Sequence, residues 1–233
     1  MGRVRSLLRT AVGLKFVVAV TGIVLFGWVA MHMLGNLKTF LGSTPAGTPE
    51  IDAYAEGLRS LGAPLLPHGF ALWSVRLILL ACLVLHVAAT VKLTLRNRAA
   101  RPVPYARYTT AEATLPARWM IVSGSVILVY AVLHVLHLTT GTIGPEFEHG
   151  RVYANLYRSF HAGALALFYV GAVAVLALHL YHGAWSLFQT LGLDNPGRNR
   201  KLRAFAAASA IALFVGFAAV PLAFLLGALP APR

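Results

Sequence analysis

The apolar positions of the chain fall into five long runs, at roughly Val12–Leu34, Gly69–Leu95, Trp119–Ile143, Phe160–Leu191 and Phe205–Leu229. Each reaches the length of about 20 mostly apolar residues that a helix needs to cross a bilayer. The fourth is long enough to tilt or to project beyond the hydrocarbon. The first carries Arg3, Arg5 and Arg9 ahead of it. Its apolar stretch is too long for a signal-peptide core and no small-residue cleavage site follows, so it reads as a retained span. Between runs, Ser43–Pro49 reads as loop, Pro49–Leu61 as a short surface helix before Pro64, and Gly141–Gly150 as a turn region. No internal repeat and no soluble domain stands out. The pattern predicts an all-α, polytopic bundle of five transmembrane helices, with residues 1–233 forming a single membrane domain.

Composition agrees with that pattern and removes other classes. Hydrophobic residues make up 58% of the chain and charged residues 12%, with a mean hydropathy of +0.71. A soluble domain carries roughly 25% charged residues, so an ordinary cytosolic enzyme or a disordered chain is excluded. The net charge of +13 suggests nucleic acid until the charges are located. Fourteen of the twenty basic residues precede the first span or lie in the second-to-third and fourth-to-fifth connections. These include Lys15, Lys92, Arg96, Arg98, Arg101, Arg107, Arg118, Arg198, Arg200, Lys201 and Arg203. The opposite side holds Lys38, Arg59, Arg151, Arg158 and Arg233 with five of the seven acids. By the positive-inside rule the N-terminus is cytoplasmic and the C-terminus outside. The charge is then a topology signal, with anionic membrane lipid as its simplest contact and no nucleic acid partner. The single Cys82 excludes a disulfide framework, a Cys-based metal site and a C-x-x-C-H haem attachment.

Seven of the nine histidines lie in or at the ends of spans: His32, His86, His134, His137, His161, His179 and His182. Polar side chains in hydrocarbon are costly and usually functional. At about 1.5 Å per residue, His86 and His179 fall in the cytoplasmic half of the membrane and His32 and His134 in the outer half. Two stacked bis-histidine sites fit that arrangement. No Asp or Glu lies in any span, and neutral imidazole pairs with nothing else to complete a shell suit the axial positions of haem b. His137 and His182 each follow a candidate ligand by three residues and could replace it, contact a haem propionate or quinone, or bond another helix. His161 could serve a quinone or propionate, or simply sit at the interface. Arg76 is the one cation well inside a span and either snorkels or pairs with an outer-haem propionate. Gly35, Ala88, Ala89, Gly183 and Ala184 would make room for a porphyrin or let helices pack closely.

The motifs resemble those of the five-helix, two-haem cytochrome b membrane anchor of succinate:quinone oxidoreductases and fumarate reductases. Thr21-Gly22 followed by His32-Met33-Leu34-Gly35-Asn36-Leu37 is similar to the pattern of that family's first span. His179-Leu180-Tyr181-His182-Gly183-Ala184-Trp185-Ser186 and Gln189-Thr190-Leu191-Gly192 are similar to its fourth. His86 and His134-Val135-Leu136-His137 match the second and third. The resemblance favours His134 and His179 over their neighbours as ligands. It implies two haem b groups, at His86/His179 and at His32/His134. It also implies partner flavoprotein and iron–sulphur subunits, carrying FAD and the clusters, on the cytoplasmic face of a prokaryotic inner membrane. Menaquinone or another quinone is the implied membrane substrate, and a higher oligomer of the complex is compatible with it. Succinate oxidation would occur in the partner, as part of the tricarboxylic acid cycle and respiratory chain, with fumarate reduction as the reverse. Some relatives carry a carboxylate at the position of Ala177, so a carboxylate proton relay is not expected here. Two rivals remain: the cytochrome b subunit of another respiratory complex, and a transporter whose histidines relay protons or metal ions.

Overall fold

The computed structural model describes residues 10–100 and 115–232. Arg3, Arg5, Arg9, Arg101, Arg107 and Arg233, and the side chain of Arg118, lie outside that description. Among the described residues there are seven α-helices: α1 (Ala11–Asn36), α2 (Glu50–Arg59), α3 (Phe70–Ala99), α4 (Leu115–Leu138), α5 (Val152–Phe160), α6 (Ala164–Thr190) and α7 (Pro196–Leu225). A 3-10 turn, Leu37–Leu41, continues α1. Five of these helices are long and apolar enough to cross a membrane, and the chain is an all-α, multi-pass membrane bundle.

The helix starts follow from local chemistry. The Thr10 hydroxyl accepts from the Gly13 amide at 3.0 Å and caps α1. Asn195 caps α7 through the Arg198 amide at 3.0 Å, with Pro196 in the first turn where its missing N–H costs nothing. The basic run Arg198–Arg203 is therefore helical, and the fifth span begins at Pro196 instead of Phe205. The third span stops at Leu138, short of Ile143, because the Thr139 and Thr140 amides both turn back to the Val135 carbonyl. The fourth run is two helices. Phe160 ends α5, Gly163 turns the chain at φ 93°, and α6 starts at Ala164. Hydropathy alone merges them because only His161, Ala162 and Gly163 separate two apolar stretches.

Packing divides the long helices into two pairs. α1 lies along α3, and α4 lies along α6. α7 packs against α6 and more lightly against α1, tying the pairs together, while α1 also touches α6. Among the described residues α3 has no comparable packing on α4 or α6. Leu77, Ile78, Val84 and Leu85 of α3 are exposed, as suits a lipid-facing surface.

The tightest core sits at one end, where the short helices α2 and α5 close over α6 and α7. Ile51, Tyr153, Leu156, Phe160, Ala166, Tyr169, Val220 and Phe224 form it. The buried Asp52 of α2 accepts from the Tyr153 amide at 2.8 Å, satisfying a free donor in the first turn of α5. Burial pushes the Asp52 carboxyl above its ordinary value, against the pull of the Tyr153 and Val152 amides and of Arg151 and Arg59. The Pro49–Leu61 segment is thus a helix, as expected, but its Ile51 and Asp52 face inward. The opposite end carries Lys92, Arg96, Arg98, Arg198, Arg200, Lys201 and Arg203 and is called the basic end below.

Candidate functional site

The gap between the two helix pairs is a cavity of about 1870 Å³ bordered by all five long helices. Ligand pockets commonly measure about 300–1,000 Å³, so this one has room for more than one medium-sized group. His32, His86, His134 and His179 all border it.

Near the capped end, His32 of α1 and His134 of α4 meet with ring centroids 5.8 Å apart and planes 83° to each other. His32 stacks on Trp28 at 6.0 Å and touches Phe217 of α7 at 5.9 Å. His134 is flanked by Tyr130 at 5.8 Å and Tyr169 at 5.9 Å. Its Nδ1 is buried with no hydrogen-bond partner, a costly state for a polar atom.

Nearer the basic end, His86 of α3 and His179 of α6 both border the cavity. Each is held by a neighbouring helix in the same way. The His86 Nδ1 lies 3.0 Å from the Thr21 hydroxyl of α1, and the His179 Nδ1 lies 3.0 Å from the Ser123 hydroxyl of α4. A glycine follows each hydroxyl residue. A Cβ at Gly22 would stand 3.5 Å from His86 Cε1, and one at Gly124 would stand 3.4 Å from His179 Cε1. The Cε1–Nδ1 edge of each imidazole therefore lies close to bare backbone.

Sequence reading missed these supports, although a signal was there. Thr21-Gly22 is followed by His32, and Ser123-Gly124 by His134, with nine intervening residues each time. Eleven residues span three helical turns, about 16 Å, and return to the same face. α1 and α4 thus each supply one histidine near the capped end and one support for a histidine nearer the basic end. The shared spacing is too sparse to register as similarity along the sequence.

His137 is buried outside the cavity lining, with both ring nitrogens engaged. The Ser159 hydroxyl donates to the Asn155 carbonyl at 2.6 Å, so its oxygen accepts from His137 Nε2 at 3.0 Å, leaving Nδ1 to accept from the Tyr169 phenol at 2.8 Å. His182 is half-buried and does not border the cavity. His161 is exposed at the end of α5, stacked on Tyr157 at 4.8 Å. Arg76 borders the cavity, with its guanidinium 4.9 Å over the Trp73 ring. Of the small residues, Gly183 and Ala184 border the cavity and Ala88 and Ala89 do not. Gly35 makes room for the Tyr54 ring, which a Cβ there would meet at 2.8 Å.

Among the described residues no group of three or more His, Cys, Asp or Glu side chains could hold a metal ion. The nitrogen donors come as pairs on facing helices. No protein-family model, curated protein or solved structure matches this chain.

Proposed function

We propose that this chain is the haem b-containing membrane anchor of a succinate:quinone oxidoreductase. The observation that carries the reading is the placement of two histidine pairs, contributed by four helices, at two levels of one apolar cavity. Paired donors on facing helices suit a planar macrocycle with two axial positions better than a closed tetrahedral metal site. The unpartnered His134 Nδ1 and the bare backbone beside His86 and His179 fit the same group.

His32 and His134 would hold one haem b, His86 and His179 the other. Bound there, haem would supply one-electron transfer between the clusters of an iron–sulphur partner and membrane quinone. The chain's own residues fix imidazole direction, line the site with apolar side chains that exclude water, and place the Arg76 cation near the capped end. The basic end offers a positive surface for the iron–sulphur subunit, and the positive-inside rule turns it toward the cytoplasm of a prokaryotic inner membrane. Succinate would be oxidised at FAD in the flavoprotein subunit; run in reverse, the same assembly reduces fumarate with quinol. Menaquinone is the quinone favoured by a two-haem anchor of this type.

A dithionite-reduced minus oxidised spectrum with pyridine haemochrome quantitation, on protein from native membranes, tests the reading. Two haem b per chain are expected, with one lost in His86→Ala and the other in His134→Ala. Folded protein without haem would overturn it and move the histidines toward proton or metal-ion transport.

A further inference from the structure

The two hydroxyls that touch His86 and His179 have a direction as well as a position. Thr21 Oγ1 lies 2.7 Å from the Val17 carbonyl of its own helix, with the Val18 carbonyl at 3.2 Å. A hydroxyl has one proton and two lone pairs. At 2.7 Å the proton is committed to Val17, so the oxygen turned to His86 can only accept. Ser123 is placed alike: its hydroxyl can donate to the Met120 carbonyl at 3.2 Å while a lone pair faces His179 Nδ1 at 3.0 Å. In a neutral imidazole only one nitrogen carries hydrogen, and the partner of one nitrogen decides the state of the other.

We infer that Thr21 and Ser123 are positioning residues that fix His86 and His179 as the Nδ1–H tautomer, leaving each Nε2 with a free lone pair for a ligand in the cavity. His137 shows the opposite choice within the same fold, since its Nε2 donates to Ser159 and its Nδ1 is covered by Tyr169. The cost of orienting the ring is thereby met before any ligand arrives. The gain is electronic as well. A hydrogen bond from Nδ1–H to an oxygen raises the basicity of the ligating nitrogen. A more basic axial ligand stabilises the oxidised metal, so loss of the bond should raise the reduction potential.

This inference rests on the haem reading for its redox consequence but not for the tautomer, and two measurements separate them. In haem-free protein labelled with 15N-histidine, His86 and His179 should each show a protonated Nδ1 and an unprotonated Nε2, identified by signals lost in His86→Gln and His179→Gln. A protonated Nε2 at either site would overturn the inference whatever the protein binds. In haem-loaded protein, Thr21→Val and Ser123→Ala should each shift the reduction equilibrium of one haem up to tenfold toward the reduced form, about 59 mV for one electron. The haem at His32/His134 should stay unmoved and serve as the control for folding. Thr21→Ser and Ser123→Thr should restore the wild-type value, which a packing role for the side chains would not predict. Unchanged potentials in both hydroxyl-free variants would also overturn it. A wild-type chain that binds no haem, yet shows both Nδ1–H tautomers, would defeat the haem reading alone.

Discussion

His134 and His137 stand three residues apart on α4 and have opposite surroundings. His134 borders the cavity with an unpartnered Nδ1, whereas His137 bridges Ser159 and Tyr169. His137→Leu should leave the Tyr169 phenol without its buried acceptor, at about 1–3 kcal/mol before relaxation, while Ser159 keeps its bond to the Asn155 carbonyl. Thermal unfolding in detergent should register that loss while, on the proposed reading, the count of two haems is unchanged. His134→Leu should do the reverse and, on the same reading, remove one haem. Neither role can be read from spacing, because residues 60° apart on one helix are told apart only by what packs against each side. Titration at the capped end gives a second test. Arg158 hydrogen-bonds Glu148 and, with Arg151, holds its carboxyl below the ordinary 4.5. Glu148 then binds fewer protons folded than unfolded. Its contribution to stability is complete above pH 4.5 and is lost as pH falls through the depressed value. Asp52 has the opposite sign: its raised value favours the fold most below its ordinary 3.8, and that advantage fades as pH rises through the folded value. The melting difference between wild type and Glu148→Gln should shrink on acidification, whereas that between wild type and Asp52→Asn should move the other way.

At the scale of elements, the five spans are legible in the sequence because a bilayer demands length and apolarity, both of which hydropathy records. Their ends are less so. The α5–α6 break depends on Gly163 holding φ 93°, and the start of α5 on Asp52 accepting from its first turn across a hundred residues of sequence, and neither leaves a mark in a sliding average. The four cavity histidines were recognisable as intramembrane polar residues. Their supports were not, since Thr21–His86 and Ser123–His179 join separate helices whose rotation only packing fixes. The close approach at Gly124 gives a prediction. Gly124→Leu should drive a side chain into the His179 ring and, on the proposed haem reading, abolish one haem while leaving the other, at His32/His134, in the reduced spectrum. Gly144 makes a comparable demand in a loop: at φ 94° its Cβ would meet the His137 ring at 2.5 Å. Gly144→Ala should therefore lower the melting temperature without changing haem content, because backbone strain and the clash act together.

In the whole molecule, the helix pairs α1/α3 and α4/α6 face each other across space more than across side chains. A group that fills that space and binds only the folded state adds stability by mass action, about 4.1 kcal/mol per site at a thousandfold excess over its dissociation constant. Protein made under haem starvation should melt lower than loaded protein, and cysteines placed across the α3–α6 gap should cross-link more variably in it.

That division also orders the events of biosynthesis. The α1/α3 hairpin leaves the ribosome with two histidines, His32 and His86, and Thr21 already in place beneath His86. The facing histidines, His134 and His179, arrive only with the second hairpin, so neither half alone can enclose the cavity. On the proposed haem reading, loading would be a late checkpoint on a nearly finished chain, and a chain stalled after its first hairpin would present an open apolar wall to the quality-control machinery of the membrane.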